Sequence, residues 1–477
     1  MKKVLQILIT IFIASAFSFA QSPDTAWTRT FGGAGLETGY DLQQTDDGGY
    51  ILVGDVNSSD IILIKTDVSG NEQWTKIYGG SLSDLGNSVI QTNDGGFIIV
   101  GNTASRGAGL QDVWLIKTDS NGDSIWTKTF GGPDSEIGYS VQQTSDNGYI
   151  ITGYTRSFSA GQEDVWLIKT DSIGNEQWNK IFGGTSYDKG YSVQQTSDGG
   201  YIITGETASF GLLGDVWLIK TDSNGNIQWT KTFGANWPDA GYSVNQTSDG
   251  GFIIAGQTDS FGAGSSDFWL IKTNSVGDTL WTKTFGSAGF ETGRSVKQTT
   301  DGGYIVCGFE DPSGTGFEDV LFIKTDSDGN TQWTKSLGGT QSERSFAVIE
   351  TTDDGFALVG YTSSFGLNGD VWLVKLGGNT TGINSDQPVL KDFSLLQNYP
   401  NPFNPVTKIS WQSPTGSHQT LKIYDLLGNE VATLVDENLP AGNYDIDFDA
   451  SGLTSGIYFY QLKSGSYFQS KKMLLLK

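Results

Sequence analysis

The chain repeats a pattern of short apolar runs separated by polar turns. One complete unit covers residues 138 to 184 and reads GYSVQQTSDNGYIITGYTRSFSAGQEDVWLIKTDSIGNEQWNKIFGG. Its four runs are rich in strand-forming residues, and turn residues such as Ser-Asp-Asn-Gly separate them. The runs GYIITG and VWLIK are apolar on both faces, whereas QWNKIFGG alternates apolar and polar residues. This pattern predicts a four-stranded antiparallel sheet with two covered central strands and a half-exposed outer strand.

The unit recurs along most of the chain, and a tryptophan in its last run marks each recurrence. Successive tryptophans are 47, 52, 52, 51, 52 and 52 residues apart. They are Trp27, Trp74, Trp126, Trp178, Trp229, Trp281 and Trp333. A single sheet of this kind cannot bury both faces, whereas sheets stacked around a ring cover one another. We therefore predict an all-β fold whose first domain, residues 21 to 377, is a seven-bladed β-propeller of four-stranded blades.

The two ends of the repeat region complement each other. The region begins with a lone fourth-strand segment, AWTRTFGG at residues 26 to 33, and its last repeat ends after the third run, DVWLVKL at residues 370 to 376. We expect the N-terminal strand to complete the last blade and so close the propeller, because an unpaired sheet edge is a liability. The string DVWLIKTDSNGNIQWTKTFG, followed by DGGFIIAGQT, resembles the SBBP-type β-propeller repeat of exported bacterial proteins. The resemblance covers residues 26 to 376 and implies a fold and export, but no ligand.

The N-terminus has the pattern of a secretory signal peptide. Two lysines precede an almost wholly apolar run over residues 4 to 17, and the small-residue segment Ser18-Phe19-Ala20 follows. The alternative is a transmembrane anchor, but the run is short for a span. We predict a signal peptide over residues 1 to 20 with cleavage between Ala20 and Gln21.

The repeat pattern stops after residue 377. Residues 378 to 391 have the composition of a linker, and residues 392 to 477 form short alternating runs between Pro, Gly and Asn turns. These runs predict a small immunoglobulin-like β-sandwich. An ordinary spacer domain of that type, similar to the flagellar hook-capping kind, is one interpretation.

Spaced motifs in this segment favour another interpretation, because they closely resemble the type A C-terminal sorting domain of the type IX secretion system. The matching residues include Tyr399, Pro400, Asn401, Pro402, Phe403, Asn404, Pro405, Tyr424, Asp425, Gly428, Gly442, Tyr444, Gly456, Tyr458 and Lys472. The resemblance implies passage through the periplasm, recognition by the type IX machinery and delivery to the cell surface or the medium. In that family the domain is commonly removed, and the cargo is then released or anchored.

Composition limits the chemistry that the chain can perform. Its formal net charge is −24, and an acidic surface of this size repels nucleic acid and anionic lipid, so neither is an expected partner. The only cysteine is Cys307 and the only histidine is His418, which exclude a Cys/His zinc site and a Ser-His-Asp triad within the repeats. Five arginines argue against an arginine cluster that would bind carboxylates. We predict that the protein is not an enzyme.

Aligning the repeats reveals two rings of acidic residues. The first ring precedes the first strand of each blade and consists of Glu37, Asp84, Glu136, Asp188, Asp239, Glu291 and Glu343. The second ring opens the third strand and consists of Asp60, Asp112, Asp164, Asp215, Asp267, Asp319 and Asp370. Both rings should lie on one face, with the first nearer the channel. An oxygen-rich rim suits calcium or a sugar, although no cofactor is otherwise predicted. The structural interpretation, favoured because framework features repeat, is that each carboxylate accepts backbone N–H groups in its loop.

Residues that break the sevenfold repeat are the better candidates for a ligand site. Trp237 has no counterpart in the other repeats, and Arg294 and Arg344 replace aromatic or small residues. Together with the neighbouring carboxylates Asp239, Glu291 and Glu343, they form the predicted ligand-binding set. We expect a secreted or surface-displayed binding or adhesion protein whose partner is a surface glycan or another protein. A polysaccharide-acting enzyme and a structural surface scaffold are the alternatives.

Overall fold

The computed structural model describes residues 22–211, 213–312, 314, 316–366, 369–377, 394–398, 400–413, 417–439, 442–464 and 467–477. All regular elements in these ranges are β-strands. None of the described segments is a helix of the length and apolarity needed to cross a membrane. The chain divides into two compact units, Met1–Thr380 and Thr381–Lys477. The predicted signal peptide, its cleavage residues Ala20 and Gln21, and the predicted linker lie outside the described residues.

Twenty-eight strands form the first unit. The first thirteen are β1 (Thr25–Phe31), β2 (Glu37–Gln44), β3 (Tyr50–Val56), β4 (Asp60–Thr66), β5 (Glu72–Tyr78), β6 (Asp84–Gln91), β7 (Phe97–Thr103), β8 (Asp112–Thr118), β9 (Ser124–Phe130), β10 (Glu136–Gln143), β11 (Tyr149–Thr155), β12 (Asp164–Thr170) and β13 (Glu176–Phe182). The others are β14 (Asp188–Gln195), β15 (Tyr201–Thr207), β16 (Asp215–Thr221), β17 (Ile227–Phe233), β18 (Asp239–Gln246), β19 (Phe252–Thr258), β20 (Asp267–Thr273), β21 (Thr279–Phe285), β22 (Phe290–Gln298), β23 (Tyr304–Asp311), β24 (Asp319–Thr325), β25 (Thr331–Leu337), β26 (Glu343–Glu350), β27 (Phe356–Thr362) and β28 (Asp370–Leu376).

These strands form seven antiparallel sheets of four strands each, which resemble the blades of a propeller as predicted. Six sheets follow chain order, from β2-β3-β4-β5 to β22-β23-β24-β25. The seventh has the order β1-β28-β27-β26, so the N-terminal strand supplies its outer edge. β1 pairs with β28 from Thr25 opposite Leu376 to Phe31 opposite Val371. The predicted exchange between the two ends of the region is confirmed.

Each hydrophobic core lies between two neighbouring sheets. The third strand β8, DVWLIKT, is buried at all seven positions, whereas the outer strand β9 alternates between exposed and partly buried residues. The first and last sheets share a core of the same kind, in which Leu42 and Leu52 cluster with Val359 and Leu373. Each sheet is open, and the last sheet meets the first through side-chain packing rather than through strand pairing.

A β-bulge interrupts every first strand, after its third residue in six blades and after its fourth in β22. In β10 the register shifts between Gly138 and Ser140, so that Tyr139 is the extra residue. Gly138 lies against the preceding blade, where a Cβ atom would come within 2.8 Å of a Val100 methyl group. Glycine therefore permits the close approach of two blades beside six of the bulges, and Ser345 takes this position in β26.

The second unit consists of two antiparallel sheets around one hydrophobic core. Its strands are β29 (Ser394–Leu395), β30 (Val406–Ser413), β31 (Ser417–Tyr424), β32 (Glu430–Leu439), β33 (Gly442–Asp449), β34 (Gly456–Ser464) and β35 (Tyr467–Leu475). The sheet orders are β29-β30-β33 and β32-β31-β34-β35. Trp411, Ile423, Tyr460 and Met473 lie in the shared core.

Candidate functional site at the mouth of the channel

The first strands of the seven blades surround a central channel with a cavity of about 410 Å³. The bulged position of each first strand places a side chain at this channel. The seven residues there are Tyr40, Asn87, Tyr139, Tyr191, Tyr242, Arg294 and Phe346. Five of these positions are aromatic, and one of the other two is a cation. Because the backbone is the same in all blades, the chemical differences among these residues make the channel asymmetric.

Six of these residues form what we call the aromatic belt: Tyr40, Tyr139, Tyr191, Tyr242, Arg294 and Phe346. Ring centroids are 5.1 Å apart for Tyr139 and Tyr191 and 5.2 Å apart for Tyr191 and Tyr242. The Arg294 guanidinium carbon lies 4.2 Å from the centroid of Tyr242, within the range of a cation–π interaction. The belt therefore combines tilted aromatic rings with one positive charge.

A second layer of side chains lies just outside the belt, on the face where the first strands begin. We call this layer the mouth, and its second-strand members are Asp55, Asn102, Tyr154, Glu206, Gln257, Phe309 and Tyr361. Belt and mouth are joined by hydrogen bonds. Tyr191 Oη donates to Glu206 Oε1 at 2.8 Å, and Tyr242 Oη donates to Gln257 Oε1 at 3.2 Å. Burial, with a smaller contribution from the Glu206 carboxylate, raises the pKa of Tyr191 well above its usual value, so this hydroxyl remains a neutral donor.

Charged groups on two sides of the mouth are paired. Lys189 Nζ lies 3.3 Å from Glu163 Oε2 and 3.4 Å from Glu206 Oε1, and Arg156 bonds the same Glu163. Burial alone would lower the pKa of Lys189, but the Glu206 and Glu163 carboxylates raise it. On another side Arg344 pairs with Glu318. The corresponding positions of the other blades differ, so these pairs are not part of the repeated framework.

Several buried polar atoms around the mouth have no hydrogen-bond partner among the described residues. They are Asp55 Oδ1, Asn102 Nδ2 and Oδ1, Asp259 Oδ1, Arg294 Nε, Glu318 Oε2 and Arg344 Nε. Buried polar groups in native proteins almost always have a partner. Similar atoms occur at repeated positions of the blades, but those of the mouth lie at non-repeated positions around one opening, where a ligand would complete the bonding.

The interior of the channel carries a second departure from the repeat. Asp41 stands where the other blades have Ser or Ala, and its carboxylate accepts hydrogen bonds from Ser88 Oγ at 2.9 Å and Val89 N at 3.0 Å. Burial raises the pKa of Asp41, although these bonds oppose the shift. Burial also lowers the pKa of Lys297, which lines the same cavity, and the Asp41 charge opposes that shift. Sequence reasoning missed both residues, although an alignment of the first strands shows that each is unique at its position.

The predicted ligand-binding carboxylates are placed differently from the expectation. Asp239, Glu291 and Glu343 are buried and bond their own loops. Glu343, for example, accepts hydrogen bonds from Gly339 N at 2.7 Å, Thr362 Oγ1 at 2.8 Å and Ser364 N at 2.9 Å. The structural interpretation of the first acidic ring accounts for these contacts.

The second acidic ring is similar. Asp112 Oδ2 accepts hydrogen bonds from Ala108 N at 2.9 Å and Gly109 N at 3.3 Å, and burial raises its pKa. In the part of the chain that the structure describes, no three His, Cys, Asp or Glu side chains are grouped so as to hold a metal ion. Calcium binding stays a prediction.

The remaining predicted residues divide between two places. Trp237 is 61% exposed on the loop between β17 and β18, which is held by hydrogen bonds between its backbone and Ser260 Oγ. Arg294 and Arg344 lie instead in the belt and the mouth, where their guanidinium carbons are 5.5 Å and 5.0 Å from the Phe309 centroid. The scarcity of arginine argued against a cluster, yet two of the five arginines approach one ring here.

The motif residues of the second unit mostly have structural roles. Phe403 is buried and its backbone N–H donates to Leu474 O at 2.9 Å. Asp425 Oδ1 accepts two backbone N–H groups in a turn that contains Gly428 in the left-handed region, with φ of 83°. Tyr444 stacks on Trp411 with centroids 5.4 Å apart. Tyr399 lies outside the described residues.

Comparison with known proteins identifies the second unit. Residues 397–476 match the secretion system C-terminal sorting domain. The regulatory protein FlaEY of Caulobacter vibrioides is 27% identical over 152 residues, and the match covers 26% of this chain and only 16% of that protein.

Two solved structures are also similar. PorZ, an essential surface component of the type IX secretion system of Porphyromonas gingivalis, is 11% identical with a TM-score of 0.41, over 90% of this chain and 58% of PorZ. A fungal alcohol oxidase in complex with copper is 9% identical with a TM-score of 0.48, over 96% of this chain and all of that one. Likenesses at this level say nothing about function. The sorting domain, by contrast, establishes that the protein is a cargo of the type IX secretion system, either secreted or attached to the cell surface.

Proposed function

We propose that the protein is a non-enzymatic binding or adhesion protein whose ligand enters the mouth of the channel. The observation that carries this proposal is the set of buried polar atoms without partners at non-repeated positions of the mouth. A framework that only had to be stable would repeat its side chains in every blade. Framework positions such as Asp164 and Asp215 also have an oxygen without a partner among the described residues, but only the variable positions gather around one opening.

The form of the molecule supports recognition rather than catalysis. A ring of packed sheets holds loops and strand ends rigidly, which suits binding with little loss of conformational entropy. Asp41, the carboxylate that lines the cavity, is already engaged by Ser88 and Val89, so it is poorly placed to act as a general base. A polysaccharide-acting enzyme and a pure scaffold remain the competing functions for the test below.

Export is the context of this function. We propose that the second unit has an immunoglobulin-like topology, that it binds the type IX machinery, and that its removal releases the first unit or leaves it anchored at the surface. We also propose that the first unit is of the SBBP-repeat kind. A partner in the medium or on another cell would then meet the mouth directly, and the partner would be a glycan or a protein.

The test is binding of the purified full chain to a glycan array and to immobilised surface proteins, with calcium and with chelator. The Arg344→Ala variant should lose binding, because it removes a guanidinium of the mouth. Trp237→Ala should keep it, because this side chain is exposed on the loop between β17 and β18 and does not line the channel. If only Trp237→Ala loses binding, the ligand site lies on the loop between β17 and β18. Release of shortened sugars would indicate an enzyme, and absence of binding to every probe would favour a scaffold.

A further inference from the structure

The channel presents an excess of hydrogen-bond donors. Three glutamines, on β2, β10 and β14, use their side-chain oxygens to accept a backbone N–H of the next blade. Gln43, Gln142 and Gln194 accept at 2.6 Å, 2.5 Å and 2.6 Å. Their NH₂ groups have no partner among the described residues, and each carries two N–H donors. Since these glutamines line the cavity, the donors face it.

One blade adds two positive charges to these donors. Arg294 and Lys297 both belong to β22 and both line the cavity. Within the described residues neither forms an ion pair, and the Arg294 guanidinium carbon lies 4.2, 5.5 and 6.0 Å from the ring centroids of Tyr242, Phe309 and Phe346. An aromatic face stabilises a cation without consuming its N–H donors. The Arg294 guanidinium is therefore available to an incoming anion.

The mouth extends this donor surface. Arg344 flanks the same Phe309 ring as Arg294, and the Nε–H groups of both arginines are buried without a partner. A guanidinium presents its N–H groups as a planar fork that matches a carboxylate. Arg344 already pairs with Glu318, and the mouth also holds oxygens of Asn102 and Asp259 without a partner among the described residues, so Arg294 is the less engaged of the two guanidinium groups.

We infer that the channel binds an acidic oligosaccharide, with a carboxylate of the ligand held at Arg294. This inference rests on the proposed binding function. Donors without partners favour an acceptor-rich ligand, and the Arg294 guanidinium, which forms no ion pair with the described residues, selects a carboxylate among acceptors. A saccharide fits better than an acidic peptide, because the cavity is lined by amides, hydroxyls and Tyr rings, which suit sugar hydroxyls and ring faces. The volume of 410 Å³ lies within the range of roughly 300–1,000 Å³ found for small-ligand sites.

The test measures affinities of the full chain for three probes: trigalacturonate, its carboxyl-reduced neutral counterpart, and a hexaglutamate peptide. We expect trigalacturonate to bind about tenfold or more tightly than the neutral sugar, because a charged hydrogen bond is lost in the latter. Arg294→Gln and Lys297→Gln should each weaken the binding of trigalacturonate and leave that of the neutral sugar little changed. Arg106→Gln is the matched control, because this arginine lies over Trp114 and does not line the cavity. Thermal unfolding checks that each variant is folded.

The outcomes separate this inference from the proposed function. Equal affinity for the acidic and neutral sugars would overturn the carboxylate site and leave a binding protein. If hexaglutamate binds more tightly than trigalacturonate, the ligand is an acidic peptide and not a saccharide. Binding that survives in both channel variants would place the ligand elsewhere, and absence of binding to all three probes would overturn the inference altogether.

Discussion

Lys169 and Asp146 form an ion pair that joins the third strand of a blade to the turn after its first strand. Lys169 Nζ lies 2.9 Å from Asp146 Oδ2, and the lysine side chain is 4% exposed while that of the aspartate is 54% exposed. The ammonium group also donates to Thr170 O at 2.8 Å and Gln177 Oε1 at 3.2 Å. All seven blades contain this pair. The others are Lys65–Asp47, Lys117–Asp94, Lys220–Asp198, Lys272–Asp249, Lys324–Asp301 and Lys375–Asp353.

Replacing this lysine should destabilise the propeller. Lys169→Met keeps most of the apolar stem and removes the ammonium, so Thr170 O loses a buried donor. We expect a loss of about 1–3 kcal/mol in the free energy of unfolding, the usual cost of an unsatisfied buried group. Thermal or urea unfolding measures it. Lys180→Met is the control, because its exposed Nζ bonds only Asn226 Oδ1 at 3.2 Å. Equal stability of the two variants would contradict the structural role of the pair.

The same pairs predict an acid limit of stability. Burial would raise the pKa of Asp146, but hydrogen bonds from Thr144 and Lys169 lower it to about 2. A carboxyl with a depressed folded pKa contributes stability that is complete above its unfolded pKa of about 3.9 and is lost as the pH falls toward 2. The urea midpoint should therefore fall between pH 4 and pH 2. In Asp146→Asn, whose side chain cannot titrate, the urea midpoint should fall less steeply between pH 4 and pH 2. If the midpoint depends on pH as in the wild type, this carboxyl does not contribute to the acid limit.

The part of this architecture that depends on local signals could be read from the sequence. Alternation of apolar residues and the Asp-Gly turns locate the strands, and the lone segment around Trp27 predicts its pairing with β28. The Lys169–Asp146 pair was missed, although both residues recur in every repeat, because the pair joins residues 23 positions apart across two strands. The alternation of apolar and polar residues cannot by itself reveal that a β-bulge makes Tyr139 the extra residue of its strand and places it at the channel. Departures from the repeat pointed to Arg294 and Arg344 and could have pointed to Lys297, but that the bulged residues form one belt could only be seen in three dimensions.

The first acidic ring should behave as framework and not as ligand site. Glu343→Gln keeps the shape of the side chain but replaces an acceptor by a donor beside Thr362 Oγ1, Ser364 N and Gly339 N. We expect a loss of about 1–3 kcal/mol in the free energy of unfolding, because at least one buried donor is left without an acceptor. Ligand affinity at the mouth should be unchanged in the folded variant. If Glu343→Gln keeps the native stability but loses ligand binding, the Glu343 carboxylate is a ligand contact and not part of the framework.

The exchange of strand β1 should keep the sheet edge of the last blade covered. Removing residues 22 to 33 would leave β28, Asp370–Leu376, with an unpaired edge and would expose the apolar surface that Phe31 covers. An open strand edge of this kind pairs with other chains. We expect the shortened protein to unfold at a lower temperature and to form dimers or larger species in size-exclusion chromatography. Adding the peptide AWTRTFGG should restore the monomer, whereas Thr28→Ala, a change on the outer strand itself, should behave as wild type. A shortened protein that stays monomeric and equally stable would show that the ring holds without this strand.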